Sequence, residues 1–116
     1  MKVENPDYQV HYQDADQTVY FRGSLRLNAA PEYAPISDLL ERAMALQAAA
    51  GGVKWDVSGL IFLNSSGINM LYQFVVKVRK AGNVAMSVVG ANAVPWQQKS
   101  LGNMTRFMPT LKLELR

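Results

Sequence analysis

The sequence predicts an α/β domain: a mixed, mostly parallel sheet of about five strands, begun by an N-terminal antiparallel hairpin, with helices packed on it. Three observations carry this. β-rich runs alternate with helix-period segments in units of roughly 30 residues, the length of a right-handed strand–helix–strand crossover. The first two β-rich runs are separated only by Asp14, Ala15, Asp16 and Gln17, a polar turn of hairpin length. In 116 residues, 49% hydrophobic against 18% charged side chains suits one domain with one core.

Each element has its own signal. Tyr8 to Gln13 and Thr18 to Leu25 are rich in β-branched and aromatic residues and form the hairpin. Arg26 to Pro35, with Asn28, Pro31 and Pro35, breaks the pattern. Ile36, Leu39, Leu40, Ala43 and Leu46 then recur at helical spacing up to Gly51 and Gly52, with Pro35 suited to the first turn. Val53 to Val57 and Leu60 to Leu63 read as a buried strand and its exit. After Gly67, residues Ile68, Leu71, Phe74, Val75 and Val78 share one face of a helix that ends before Ala81 and Gly82. Val84 to Val89 is a strand and Pro95 to Asn103 a shorter helix. Leu111, Leu113 and Leu115 alternate with Lys112 and Glu114 in a final half-buried strand. The expected order is β-β-α-β-α-β-α-β.

The functional signal lies in Asp56 to Met70. There an apolar strand meets the small polar turn Asn64, Ser65, Ser66, Gly67 and leads into a helix. The first N–H groups of a helix lack intrahelical partners, so two hydroxyls at that point either cap the helix or carry or meet an anion that the free donors and the helix dipole stabilise. Asp56 is expected to be a structural hydrogen-bond acceptor, His11 a surface strand residue and Trp96 a core or rim side chain. Lys77, Arg79 and Lys80 should form the solvated side of their helix.

Composition excludes much chemistry. Without cysteine there are no disulfides or thiolate metal sites, and His11 alone offers neither a histidine metal cluster nor a catalytic pair. A nucleophilic serine needs a base; Asn-Ser-Ser-Gly is not a hydrolase elbow, and no Gly-rich phosphate loop with Lys-Ser/Thr is present. We therefore expect neither an enzyme nor a cofactor. No apolar run reaches membrane-spanning length and the first residues lack the order of a signal peptide, so a cytoplasmic protein without membrane insertion is expected. Up to Asp56 the chain has five Lys/Arg against eight Asp/Glu; beyond it, seven face Glu114 alone. The basic charges of that half are spread among apolar residues with no nucleic-acid motif, which favours a solvated surface or an acidic protein partner over DNA or RNA.

The block from Asp56 to Ile68 (Asp-Val-Ser-Gly-Leu-Ile-Phe-Leu-Asn-Ser-Ser-Gly-Ile) resembles the STAS domain of bacterial anti-sigma factor antagonists. The family signature is a strand ending Asp-hydrophobic-Ser, a Phe-Ile/Leu-Asp segment, and Ser-Ser/Thr-Gly at a helix start. Gly23-Ser24-Leu25 is similar to the family's Gly-x-Leu, Lys80-Ala81-Gly82 precedes a strand as expected, and Trp96 to Leu101 resembles short stand-alone STAS-like regulators of bacteria. The resemblance is specific in this block and topological over nearly the whole chain. It implies partner switching: a serine kinase or anti-sigma factor of histidine-kinase-like ATPase fold phosphorylates a serine of the turn, a PP2C-type phosphatase releases it, and only one form binds the partner.

By position, Ser66 is the phosphoacceptor, with Ser65 the alternative; Asn64, Ser65, Gly67, Arg26, Asn28 and Asn69 are the implied switch and partner-binding positions. Arg26 and Asn64 depart from the family, which usually has acidic residues there, and Arg26 becomes a candidate to pair with a phosphoserine or another anion. The family's long C-terminal helix has no counterpart before Arg116, which would leave an apolar face for a partner or a second copy in a homodimer. Two other readings stay open: an unswitched accessory subunit, like the STAS partners of transport ATPases, and a small-anion or nucleotide sensor using Arg26 and the helix N-terminus.

Overall fold

The N-terminal half is tied together at its turns. The structure, a computed structural model, describes residues 1–116, the side chain of Ala30 excepted. β1 (Lys2–Glu4), β2 (Tyr8–Gln13) and β3 (Thr18–Leu25) form an antiparallel meander. β1 is a strand that the sequence reading left out, because three residues with one apolar side chain, Val3, carry no periodicity; pairing with β2 makes it a strand. In the β2–β3 turn Gln17 adopts a left-handed φ of 57°, and the fully buried Gln47 donates to its carbonyl at 2.9 Å and to that of Lys54 at 3.0 Å. At Gly23, with φ 93°, a Cβ would stand 2.2 Å from the Asp7 carbonyl oxygen, so the close approach of the two strands there requires glycine.

α1 (Ala30–Ala49) begins earlier than its hydrophobic spacing suggests. The proline of its first turn is Pro31, not Pro35, and Pro35 lies inside the helix. Pro31 is tolerated because first-turn N–H groups have no intrahelical acceptor, and Glu32 supports the start by accepting from the Asn28 N–H at 3.0 Å. β4 (Gly52–Leu63) is one continuous strand where the sequence suggested a strand and an exit. α2 (Ser65–Lys80), β5 (Ala85–Gly90), α3 (Pro95–Phe107) and β6 (Lys112–Leu115) follow, so α3 runs one turn past Asn103.

The sheet order is β1-β2-β3-β4-β5-β6, antiparallel up to β3 and parallel from β3 to β6. It is therefore a six-stranded sheet, one strand more than expected. α1 packs on α2 and α2 on α3, so the helices form one layer on one face. Beneath them lie Val10, Val19, Phe21, Trp55, Val57, Leu60 and Val88, with Phe21 edge-on to Trp55 at 5.6 Å. The other face is open and polar: the row Lys2, His11, Tyr20, Asp56 crosses it, His11 stacks on Tyr20 at 5.3 Å, and Asp56 accepts from Ser58 N–H and Oγ at 2.9 and 2.6 Å. Asp56 thus has the structural acceptor role expected of it.

β4 outruns β5. Their pairing stops at Asp56–Val89, and α3 then supplies the missing partners. Gln97, fully buried, donates to the carbonyls of Val57 at 2.7 Å and Leu60 at 3.1 Å while accepting from Ala91 N–H at 2.7 Å; Trp96 Nε1 donates to Leu60 at 2.9 Å. A buried unpaired peptide group is costly, so this side-chain amide substitutes for a neighbouring strand. Replacing it with leucine, similar in size but without polar atoms, should destabilise the fold by about 2–4 kcal/mol, read from the midpoint of urea unfolding.

On the open face the Tyr20 hydroxyl donates to the Asp16 carboxylate. That bond, then burial and the charges of Asp16 and Asp56, raise its ionisation above the ordinary 10.0. The folded chain therefore keeps a proton that the unfolded chain gives up, so this contribution to stability is complete below the ordinary tyrosine value and fades as pH rises through the folded one. In an alkaline titration of tyrosinate absorbance, Tyr20→Phe should remove one transition that lies above the ordinary tyrosine range, and Asp16→Asn should move that transition downward.

Candidate functional site

The turn between β4 and α2 is built by one side chain. Asn64 has extended backbone (φ −78°, ψ 171°) and its N–H donates to the Leu25 carbonyl at 3.2 Å, adding one bond beyond the β3–β4 ladder. Its side-chain oxygen accepts from Gly67 N–H at 3.0 Å and from Leu27 N–H at 3.2 Å, while its Nδ2 donates to the Leu27 carbonyl at 3.1 Å. One amide therefore caps α2 and pairs with both backbone polar groups of Leu27. The family's usual aspartate would supply the acceptor but not the donor.

The capping role left open for the serines is therefore taken by another residue. Asn64 is the N-cap, and among the described residues no hydrogen bond joins the hydroxyl of Ser65 or Ser66 to the rest of the chain. Both occupy the first turn of α2, which has no acidic residue, and the last turn carries Lys77, Arg79 and Lys80. That charge order complements the helix dipole at the C-terminal end and leaves the N-terminal end open to an anion. Gly67 is buried, and a Cβ there would meet Leu63 Cδ1 at 2.3 Å, so any larger residue after the serines would have to displace the Leu63 methyl group.

The two serines face different surroundings. Ser65 is exposed. Ser66 is half-buried and lines a cleft of about 300 Å³ between α1 and α2, together with Tyr33, Ser37, Asn69, Met70 and Gln73. Ser37, Met70 and Gln73 also line a second hollow of about 470 Å³ that runs on along the same helices to the Glu41–Lys77 ion pair and Lys80. Lys77, Arg79 and Lys80 are exposed, as the sequence suggested, although Arg79 reaches the Phe107 carbonyl at 3.2 Å.

The implied switch residues thus fall into three places. Ser66 and Asn69 share the cleft; Asn64 and Gly67 build the turn, with Asn28 beside it, its N–H taken by Glu32. Arg26 stands apart. Its guanidinium lies 4.5 Å from the centre of the Phe62 ring, and Phe62 alternates with the buried Leu63, which puts this stack on the open side of the sheet. None of the described contacts joins Arg26 to Ser65 or Ser66, so the expected pairing of Arg26 with an anion on Ser66 has no preformed geometry.

Ile61 and Phe62 beside it are 63% and 39% exposed. The β3–β4 register explains Ile61: Gly23 pairs with Leu60 and Ser24 with Phe62, which leaves Ile61 as a bulged extra residue. Sequence reasoning missed Leu27, whose contribution is its backbone N–H and C=O, and Tyr33, Ser37 and Gln73, which belong to the cleft only through the packing of two helices. Among the described residues no group of three or more His, Cys, Asp or Glu side chains is placed to hold a metal, and no helix is long and apolar enough to cross a membrane.

Compared with family models, curated proteins and solved structures, the chain matches none.

Removing the Asn64 amide should release both ends of the clasp. Asn64→Ala is expected to cost about 2 kcal/mol, one lost cap plus unpaired Leu27 groups, with Asn64→Asp falling between it and the wild type at neutral pH. Urea denaturation of the three chains checks the order.

Proposed function

We propose that the protein is a non-enzymatic signalling regulator of the anti-sigma factor antagonist type, whose binding to a serine kinase or anti-sigma partner is switched by phosphorylation of Ser66. One observation carries the reading: Ser66 stands in the first turn of α2 with its hydroxyl uncommitted, because Asn64 caps the helix, and it lines a cleft beside Asn69. The resemblance of Asp56 to Ile68 to the STAS signature supports the same position.

The physics of the switch is simple. A phosphate would bring about −1.5 to −2 charges to a helix N-terminus with no acidic residue in its first turn, so the fold itself tolerates it. A partner surface fitted to a neutral hydroxyl and the cleft would not, since it would have to desolvate that charge. Binding then changes without refolding. A PP2C-type phosphatase restores the neutral form, and the setting is the cytoplasm.

Incubation with ATP and its serine kinase, followed by mass-spectrometric mapping, should find phosphate on Ser66. Finding neither Ser66 nor Ser65 modified while the kinase phosphorylates another substrate would sink the proposal. In binding titrations Ser66→Asp should weaken the partner complex at least about tenfold, or about 1.4 kcal/mol, and Ser66→Ala should bind whether or not ATP is present. Equal binding by both variants would favour an unswitched accessory subunit.

A further inference from the structure

The edge strand β6 has a feature that the switch does not use. Arg116 N–H donates to the Gly90 carbonyl at 3.0 Å and the Arg116 carbonyl accepts from Asn92 N–H at 2.9 Å, so both its backbone groups turn toward β5. Backbone direction alternates along a strand, and the register Ser87–Lys112 to Gly90–Leu115 fits this alternation. Lys112 and Glu114 therefore bond inward, whereas the N–H and C=O of Leu113 and the N–H of Leu115 point away from the sheet. No described strand pairs there. No proline and no bulge blunts this edge, and Leu113 and Leu115 are only half-buried.

We propose that the chain self-associates through β6, two copies pairing antiparallel about a two-fold axis at Leu113. The sequence selects this register. With Leu113 opposite its own copy, the pair exchanges two backbone hydrogen bonds, and Leu115 N–H meets the carbonyl of Leu111 in the second copy. The same register sets Lys112 against Glu114 of the second copy, twice, in the closer non-hydrogen-bonded positions where cross-strand charges interact best. Centring on Lys112 or on Glu114 instead places like charges opposite each other, and centring between residues sets leucine against a charged side chain; centring on Leu115 opposes Glu114 and Arg116 but pairs only Leu115 of the two β6 strands, a shorter ladder. The interface is isologous, as a two-fold dimer requires, and it joins two six-stranded sheets into one.

The other edge, β1, also carries a lysine and a glutamate, Lys2 and Glu4, around a single apolar residue; there both charges pair with each other at 3.6 Å, whereas in β6 Glu114 pairs with Arg116 at 2.9 Å and Lys112 is in none of the described ion pairs. The β1 edge serves as the control.

Sedimentation velocity over a concentration series tests the proposal on the intact chain. The wild type should show a concentration-dependent dimer. Lys112→Glu and Glu114→Lys should each raise the dissociation constant at least about tenfold, because each sets two like-charged pairs across the axis. An equimolar mixture of the two variants should recover association, since each then meets the opposite charge, and the chain carrying both substitutions should dimerise again. A wild type that stays monomeric throughout, a dimer indifferent to both variants, a mixture that does not recover, or a dimer dispersed by Lys2→Glu would each overturn the proposal. Circular dichroism of every variant verifies the fold, and a single variant that fails to fold leaves the double substitution to decide.

Discussion

The pairing of the Asn64 side chain with the backbone N–H and C=O of Leu27 is the constraint on which the turn between β4 and α2 depends. β3 and β4 are parallel neighbours, so both chains leave the sheet at the same end and must diverge, one toward α1 and one into α2. Where a ladder ends, backbone groups lose their partners all at once. The Asn64 backbone adds one further bond to Leu25, and its side chain then imitates a third strand by offering both an acceptor and a donor to Leu27. The same oxygen caps α2 at Gly67, so the direction of the helix, the path of the β3–α1 loop and the freedom of the two serine hydroxyls are set together.

Gln97 and Gln47 solve the same problem elsewhere. Gln97 fills the fork where β5 stops and β4 continues, and Gln47 ties the β2–β3 turn to β4. All three are neutral amides. A carboxylate could accept but not donate, and burying one would add a desolvation cost that an amide avoids. The sheet is thus completed at its irregular points by side chains that do not titrate, whereas the described ion pairs, Lys2–Glu4, Glu41–Lys77 and Glu114–Arg116, have side chains at least half exposed and contribute little to stability.

What could be read from the sequence follows from this division. Segments with a dominant period were legible: the hairpin, α2 and the alternating last strand are specified by local pattern. Elements that exist through their neighbours were not. β1 is a strand because β2 is beside it, β4 continues past Val57 because β3 pairs with its backbone and side chains of α3 donate to its carbonyls, and the early start of α1 depends on two prolines tolerated by a helix whose hydrophobic spacing begins later. At the candidate site the serine turn was legible as a strand-to-helix junction. The identity of the cap was not, because asparagine and the serines are all good capping residues and only the geometry of Leu27 favours the first. Arg26 was read as a neighbour of the serines from sequence analogy; the pleat sends it to the open side, onto Phe62.

That displacement bears on how the proposed switch would work. With a neutral cap at Asn64, neutral residues through the first turn and Arg26 engaged on the opposite side, no charged side chain of the turn competes for a phosphate on Ser66. The helix N-terminus is then its main electrostatic support within the chain, worth a fraction of a kcal/mol to about 1 kcal/mol at an exposed site. Such weak intramolecular support would leave a modified and an unmodified form nearly equal in stability, so a phosphate there would not be consumed in holding the fold together. In the proposed switch its charge would stay beside the cleft, available to oppose a partner. Discrimination between the two forms would then rest with the partner surface, and the modification would change what the chain binds more than what the chain is.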